Sequence, residues 1–420
     1  MNFIDLFSGA GGLSEGFIRA GFKPVAHVEI DKAACNTLMT RTVYHHLKNS
    51  DNLEPYLDYI QNKISRTELY AMLPEGERKS VINMPIGEEN NKIIFNRIDS
   101  LKGKQPIDFI IGGPPCQAYS IVGRSRDENR MKGDNRNFLF KEYAKFLEYY
   151  QPKYFVFENV VGLLSAKTEE GVSYLQMMLD LFKEKGYHVE YKVLEAKNFG
   201  VLQNRKRIIL IGKKNGEVGF YPKFEEVKAN VVVSEIFNDL PKLIAGTGNY
   251  HKTNYKQYDG NYLFDSHIRN GLDFTTQHIA RPHAEQDKMI YKLAVEKWED
   301  GHQRLNYNDI PAEWQSHKNK KSFVDRFKVV AGDLPHSQTV AAHICKDGHY
   351  YIHPDKEQNR SITPREAARL QTFPDDFYFE GATEKQSRTA AFKQIGNAVP
   401  PLMAEKIALK IKEISCREKK

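Results

Sequence analysis

The stretch NFIDLFSGAGGLSEGFIRAGFKPVAHVEI, residues 2–30, carries three element signals in succession. The run NFIDLF predicts a strand, LSEGFIRAG predicts a short helix that ends at Gly21, and KPVAHVEI predicts a second strand. A strand, a helix and a strand in this order form a βαβ unit. The chain therefore opens as an α/β protein.

The same alternation continues for about 200 residues. Amphipathic helices are predicted at NFLFKEYAKFLEYY and VSYLQMMLDLFKEKG. Further strands are predicted at KIIFNRI (92–98), IDFIIG (107–112), YFVFEN (154–159) and RIILIG (207–212). This rhythm predicts a Rossmann-like, doubly wound and mostly parallel sheet, in which ligands bind at the carboxyl ends of the strands.

The length of 420 residues exceeds the size at which a single hydrophobic core usually divides, so we expect two domains. The regular rhythm stops after Gly212, and the following stretch is rich in polar and aromatic residues. The regular rhythm returns at TPREAARLQTF and in the last predicted helix, PPLMAEKIALKIKEI. We assign residues 1–220 and 386–420 to one α/β domain. Residues 221–385 form a smaller, irregular domain.

Charge and cysteine content narrow the class of protein. The 61 basic and 54 acidic residues give a net charge of +7, which suits a polyanionic partner without requiring one. Four scattered cysteines predict neither a disulfide framework nor a zinc site, and we expect no metal. Met1 leads directly into a strand, and no apolar run approaches a membrane span. We therefore expect a cytoplasmic protein that does not bind membranes.

The first loop, FSGAGG at residues 7–12, joins the first strand to the first helix. Glycines at this place let a ligand approach backbone amides, and Glu29, at the end of the second strand, can accept hydrogen bonds from ribose hydroxyls. Ser14 breaks the GxGxxG spacing of dinucleotide sites, so another adenosine cofactor is favoured. The alternative is a tight turn without a ligand.

Two further strand ends carry chemically reactive groups. In IDFIIGGPPCQAYS, residues 107–120, Cys116 follows two prolines that restrict the backbone, which is typical of an exposed, reactive thiol. Glu158 of ENV ends another strand. Its carboxyl group is either a solvated strand end or an acid whose pKa is raised by burial.

Six motifs, DLFSGAGGL, GGPPCQAYS, ENV, QNRKR, REAARLQTFP and GNAVP, stand in the order typical of one family. With them the chain resembles the DNA cytosine-5 methyltransferases of bacterial restriction-modification systems. The resemblance covers both ends of the chain but not residues 212–336, where the family has its target-recognition region. It also leaves out an apparent insertion at about 41–91. The resemblance implies the fold of methyltransferases that use S-adenosylmethionine, with residues 1–220 and 386–420 as the cofactor-binding catalytic domain and residues 221–385 as a smaller, irregular target-recognition domain.

The resemblance implies a covalent mechanism. Cys116 matches the thiolate that attacks carbon 6 of cytosine, and Glu158 matches the acid that protonates or hydrogen-bonds N3. In QNRKR, Arg205 matches a brace of the cysteine loop and Arg207 matches a contact to O2 of the flipped base. Gln203 lies two residues before Arg205, and alternation along an extended strand predicts all three side chains in one pocket. A solvated edge or phosphate clamp is the alternative.

The resemblance also implies a set of residues around S-adenosyl-L-methionine. Asp99 matches an acid near the adenine amino group, Leu139 matches an apolar wall, and the GNAVP segment lies beside the cofactor. The full set is Phe7, Gly9, Gly11, Gly12, Leu13, Glu29, Ile30, Asp99, Ser100, Pro114, Leu139, Asn397 and Val399.

The implied partner is double-stranded DNA with a flipped target cytosine, bound by a monomer, and a cognate restriction endonuclease would act separately. Two rival functions stay open: methylation of cytosine-5 in transfer RNA, and DNA binding by a non-catalytic relative. The long polar region before TPREAARLQTF favours duplex DNA. Within the insertion, apolar residues at helical spacing and a capping box of Ser65 with Glu68 predict a packed helical pair.

Overall fold

A seven-stranded sheet forms the centre of the computed structural model, which describes residues 1–115, 138–316, 320–321 and 324–417. The strand order is β3-β2-β1-β4-β5-β7-β6. The first five strands pair in parallel, whereas β7 runs antiparallel to both of its neighbours. The strands are β1 Asn2–Leu6, β2 Lys23–Glu29, β3 Val81–Asn83, β4 Phe109–Gly112, β5 Tyr154–Asn159, β6 Tyr187–Glu195 and β7 Lys206–Lys214. The predicted Rossmann-like α/β class is confirmed.

Helices cover both faces of this sheet. The α-helices are α1 Gly12–Arg19, α2 Lys32–Asn49, α3 Glu54–Ile60, α4 Arg66–Ala71, α5 Glu75–Arg78, α6 Glu88–Lys102, α7 Leu139–Tyr150, α8 Tyr174–Glu184, α9 Tyr262–Asp265, α10 Glu285–Gly301, α11 Pro364–Leu370, α12 Arg388–Asn397 and α13 Pro401–Arg417. None of the helices described is long and apolar enough to cross a membrane.

Alternation along β1 divides the apolar core between the two faces. Phe3 packs into the cluster that contains α1 and α13, while Ile4 and Leu6 pack into the cluster that contains α7 and α8. Helix α13 lies so close to α1 that a Cβ on Gly16 would come within 2.4 Å of the Ala404 side chain. The last helix of the chain therefore completes the fold that the first helix begins.

The predicted strand at residues 92–98 is wrong, because this run lies within helix α6. Ile94 and Ile98, four residues apart, are fully buried, whereas Ile93 is 53% exposed. The buried residues are spaced as in a helix. The run of seven residues is too short to distinguish this helical spacing from the alternation of a strand. The strand of this region is β3, only three residues long, and neither β3 nor β6 was predicted.

The stretch between β7 and α11, which we call the second region, has few long elements. Two-residue strands pair in it as β8 with β11 and β9 with β10; their bounds are β8 Gly248–Asn249, β9 Thr253–Asn254, β10 Phe274–Thr275 and β11 His278–Ile279. Its core also contains Phe392 and Ile395 of α12, and Ala10 and Leu202 from the first part of the chain. The division into domains at 220 and 385 stays a prediction.

Helices α3 and α4 belong to the predicted insertion and contact the second region. The predicted capping box is confirmed, since Ser65 and Glu68 bond reciprocally at the start of α4. Tyr56 and Leu69 pack in one cluster with Phe274 and Tyr378 of the distant part of the chain. The insertion is thus a small helical unit that connects the sheet to the second region.

Candidate active site

Two glycines direct the chain at the carboxyl end of β4. A Cβ on Gly112 would lie 1.9 Å from the Leu6 carbonyl oxygen, and one on Gly113 would lie 1.9 Å from the Glu158 carbonyl oxygen. Gly112 also has a φ of +123°, a backbone conformation that residues with a Cβ atom rarely adopt. Only glycine allows the chain to pass between β1 and β5 at this point.

The next residues are fastened to the end of β5. Pro114 is buried, and its carbonyl oxygen accepts a hydrogen bond of 3.3 Å from the Asn159 side chain. Pro115 is exposed. Cys116, the predicted nucleophile, lies outside the described residues. The backbone that leads to it is nevertheless held directly beside the residue pair Glu158–Asn159.

Glu158 and Arg207 form an ion pair at this place. The Arg207 Nε lies 2.6 Å from the Glu158 Oε1, and the two side chains keep only 17% and 12% of their surface exposed for Glu158 and Arg207 respectively. The antiparallel register pairs Glu158 with Ile209, so Arg207, two residues earlier, extends from the same face of the sheet. The largely buried guanidinium of Arg207 orients the Glu158 carboxylate at the carboxyl end of β5.

Gln203 and Arg205 do not join this pair. The Gln203 amide donates to the Leu370 carbonyl oxygen and accepts from the Val340 amide, and Arg205 donates to the carbonyl oxygens of Val340 and Gly396. The expectation of one pocket for all three side chains is wrong. Strand alternation begins only at Lys206, and the preceding residues pair with the segment around Ser337 instead.

The glycine loop lies at the carboxyl ends of β1 and β2. Phe7, Gly9 and Gly11 all have positive φ, of 57°, 54° and 82°. The Gly9 amide donates to the Glu29 Oε2 over 2.8 Å, while the amides of Ile30 and Asp31 donate to the Oε1. Burial raises the pKa of Glu29, although these three donors oppose the rise. The Oε2 retains a lone pair for a further donor.

The GNAVP segment lies against this loop. A Cβ on Gly12 would approach the Val399 carbonyl oxygen to 2.3 Å. Asn397 is exposed at the end of α12, and Ile30 is 64% exposed beside Glu29. Leu13 packs into the core below α1. The structure thus gathers the glycine loop, Glu29, Ile30 and Val399 at the carboxyl ends of β1 and β2, where we place the candidate cleft. Leu139 begins α7 and is half-buried.

Asp99 and Ser100 are not brought to this cleft. They lie near the end of α6, where Asp99 accepts a hydrogen bond of 2.7 Å from Tyr149. The chain then reaches Gln105, which bonds to Asn2 at the amino end of β1, so both residues lie toward the opposite edge of the sheet. The error in placing Asp99 and Ser100 follows from the wrong strand assignment. A strand at 92–98 would have ended at Asp99, at the carboxyl edge of the sheet, whereas helix α6 returns the chain to the amino end of β1.

Asn83 occupies the position that Asp99 was expected to hold. It ends β3, lies opposite Glu29 in the register and donates from its side-chain amide to the Glu29 and Ile30 carbonyl oxygens. Sequence reasoning missed it because β3 spans only three residues. The signal available in the sequence was the short run VIN, two apolar residues followed by Asn83. The next segment, MPIG, contains a proline and a glycine, which are typical of turns.

The fold and the site together define an α/β protein that carries a glycine loop and an oriented acid at the carboxyl ends of its parallel strands. A family model for C-5 cytosine-specific DNA methylases matches residues 1–64 and 82–413. The chain belongs to this family and is a DNA (cytosine-5)-methyltransferase of the restriction-modification type. The unmatched internal residues, 65–81, fall within the predicted insertion and contain α4 and α5.

Curated relatives agree over the whole chain. Type II methyltransferase M.Bpa9945I of Bacillus paralicheniformis is 41% identical, with 99% of each chain covered. Type II methyltransferase M1.HphI of Haemophilus parahaemolyticus is 32% identical over 100% of this chain and 88% of the relative. Among solved structures, a protein from E. coli described as a prophage-encoded DNA modification methyltransferase has a TM-score of 0.64 at 24% identity, with 99% of both chains covered. This last likeness supports the fold.

Proposed function

We propose that this methyltransferase modifies carbon 5 of cytosine in duplex DNA through a covalent bond between the Cys116 sulfur and carbon 6, with S-adenosyl-L-methionine as the methyl donor. The observation that carries the proposal is the Glu158–Arg207 ion pair beside the backbone that leads to Cys116. An oriented carboxylate next to a strand-end cysteine is the arrangement that nucleophilic attack on a pyrimidine requires.

The residues at the glycine loop fit this donor. Among the described residues, no heavy atom beyond the neighbours of Gly9 in the chain lies within 4 Å of the position that a Cβ on Gly9 would take, so a ligand can approach the backbone there. The free lone pair of Glu29 suits a ribose hydroxyl, and the exposed Ile30 offers an apolar surface to an adenine ring. When bound, S-adenosyl-L-methionine supplies an activated methyl group beside the cysteine-bearing segment.

The chain's own groups account for the remaining steps. The Cys116 thiolate forms the bond to carbon 6, and the displaced π electrons make carbon 5 nucleophilic while Glu158 supplies a hydrogen bond or proton at N3. Arg207 orients Glu158, and we assign to it the contact to O2 of the base. After carbon 5 is methylated, it loses its proton to a base that we do not assign to a residue, the carbon 6 to sulfur bond breaks, and the ring double bond returns.

We further propose a monomer that acts on double-stranded DNA with the target cytosine flipped out of the helix, in the cytoplasm, and separately from a cognate restriction endonuclease. The names of the relatives, both Type II methyltransferases, support this assignment. The net charge of +7 is compatible with DNA. Sequence specificity would reside mainly in residues 221–385, because the candidate catalytic and cofactor-binding residues lie outside this range.

Sequencing of DNA from cells that express the chain tests the proposal. Bisulfite treatment of plasmid DNA should reveal 5-methylcytosine in one sequence context. Cys116→Ser should abolish it while DNA binding persists, because a hydroxyl group ionises far less readily than a thiol. Duplexes with 5-fluorocytosine at the target should trap the enzyme as an adduct that survives denaturing gels. Methylation of transfer RNA alone, or active enzyme without a trapped adduct, would contradict the proposal.

A further inference from the structure

A cavity of about 330 Å³ lies between helix α10 and the segment 327–339, outside the cleft described above. This volume falls within the range of pockets that hold small ligands, roughly 300–1,000 Å³. Trp298 on α10 and the buried Phe327 supply aromatic walls. We call this cavity the α10 pocket.

The polar groups of the α10 pocket suit a nucleobase. Gln303 and Gln338 each carry both donors and acceptors, while Arg304 and Lys328 carry positive charge. None of the described residues that line the pocket is an acid. Amide and guanidinium groups are the side chains that most often read base edges, and aromatic rings provide surfaces on which bases stack.

Two aspartates at the rim hold these groups in place. Asp325 lies 3.2 Å from the Lys328 ammonium and 4.0 Å from the Arg304 guanidinium. Asp333 accepts a hydrogen bond of 2.9 Å from the Trp298 indole and pairs with His302. At 4.0 Å, Arg304 is at the limit of an ion pair, and it is 60% exposed, so its guanidinium can turn toward a ligand.

A short stretch of chain connects the α10 pocket to the active site. Ser337 pairs with Gln203, and the Asn204 amide donates to the Ser337 carbonyl oxygen over 2.9 Å. Asn204 lines the pocket and lies only three residues before Arg207, which contacts Glu158. The Cα atoms of Asn204 and Arg207 are therefore at most about 11 Å apart, a distance that a DNA strand spans in about three nucleotides.

We propose that the α10 pocket receives a base of the DNA substrate other than the target cytosine, and that Gln303 and Arg304 read that base. The inference rests on the proposed function, because it requires a DNA strand in the active site. A phosphate contact would need only an exposed cation, whereas a partly open pocket lined by two aromatic rings and two amides fits a planar ring with hydrogen-bonding edges.

Methylation of a duplex library tests this role. Each position around the methylated cytosine is randomised in turn, and the products are sequenced for wild type, Gln303→Ala and Arg304→Ala. Both residues are exposed, so the variants should fold. We expect preference at one position to fall about 5- to 150-fold, the range for loss of a good base contact, with other positions unchanged. Arg78→Ala, on exposed α5, is the matched control and should keep wild-type preference.

A third variant, Leu334→Trp, narrows the pocket from its rim without removing a polar group, and it should alter preference at the same position. If both alanine variants keep wild-type preference, or lose activity on all sequences alike with a weaker salt dependence, the pocket does not read a base. If wild type itself leaves DNA unmethylated, the proposed function fails along with this inference, and that result is distinct from unchanged preference in active variants.

Discussion

At the scale of single residues, the ion pair of Glu158 and Arg207 fixes a carboxylate beside the backbone of Gly113, which leads to Cys116. Both side chains are largely buried, so the pair is shielded from solvent. In the proposed mechanism this carboxyl group serves the ring nitrogen of the base, and its orientation therefore matters as much as its presence.

The variant Glu158→Gln should lower the turnover number by about 10²- to 10⁴-fold, the range that loss of a general acid usually costs, with DNA affinity changed little. The amide keeps the shape of the side chain but cannot protonate N3. Single-turnover kinetics and a separate binding titration measure the two effects. Glu195→Gln on β6, which removes the partly buried partner of the exposed Lys206, is the control and should keep normal turnover. Normal turnover of Glu158→Gln would contradict the assigned role.

Gly113→Ala should abolish methylation, because the added Cβ would collide with the Glu158 carbonyl oxygen at 1.9 Å and displace the segment before Cys116. Gly76→Ala on α5 meets no atom within 4 Å and should behave like wild type. Activity of both variants on the wild-type target sequence, with thermal unfolding to separate local from global damage, checks this expectation. An active Gly113→Ala enzyme would show that the loop position is not critical.

At the scale of elements, α11 anchors the second region through buried ion pairs. Arg369 lies 2.5 Å from both Asp239 and Asp375, and Arg360 lies 2.7 Å from Glu366, with all these side chains almost fully buried. Thr363 caps the helix in a reciprocal box with Glu366. Burial by itself would raise the pKa of Glu366, but Arg360 lowers it below its usual value. The motif REAARLQTFP thus has a structural role in this chain.

Arg369→Met should reduce the free energy of unfolding by about 3–5 kcal/mol, because it removes the closest cation from two buried carboxylates. Asp239 and Asp375 then keep only the longer ion pairs, with Arg269 at 3.4 Å and Arg365 at 3.8 Å. Urea unfolding at neutral pH measures the change. Lys356→Met, which breaks an exposed pair with Glu299, is the matched control and should leave the unfolding midpoint nearly unchanged. A shift for Arg369→Met no larger than that of the control would show that the buried network contributes little.

At the scale of the whole molecule, buried neutral histidines make stability depend on pH. Burial lowers the pKa of His278 to about 4, and the ring bonds to Thr363 and the Pro241 carbonyl oxygen. Burial likewise lowers the pKa of His27 to about 4, with a smaller contribution from His45. In the unfolded chain a histidine binds its proton near pH 6.5. The unfolded state therefore binds more protons than the folded state between pH 6.5 and about 4.

The free energy of unfolding should accordingly fall as the pH drops below 6.5, by roughly 1.4 kcal/mol per pH unit for each such histidine. Urea unfolding at pH 7, 6 and 5 measures this slope. His278→Gln should remove the contribution of one histidine from it. His267→Gln, at a side chain that is 57% exposed, should leave the slope unchanged. Equal slopes for wild type and His278→Gln would contradict the inference.

Much of the fold followed from local patterns. The strands β1, β2, β4, β5 and β7 were predicted because long apolar runs ended at glycine, proline or polar residues. Residues 92–98 were misassigned because seven residues fit either period, and only burial of Ile94 and Ile98 against the sheet selects the helix. The three-residue β3 has too few residues to carry a pattern, so its Asn83 was missed.

The sequence by itself determined the class of fold, the family and the positions of the glycine loop, Cys116, Glu158 and Arg207, because each depends on residue type and spacing along a few consecutive residues. The tertiary structure alone decided which of these side chains meet. It separated Gln203 and Arg205 from Glu158, carried Asp99 away from the glycine loop, and set Asn83 beside Glu29. Pairing between strands and packing of helices depend on residues far apart in the chain, and no local pattern contains them.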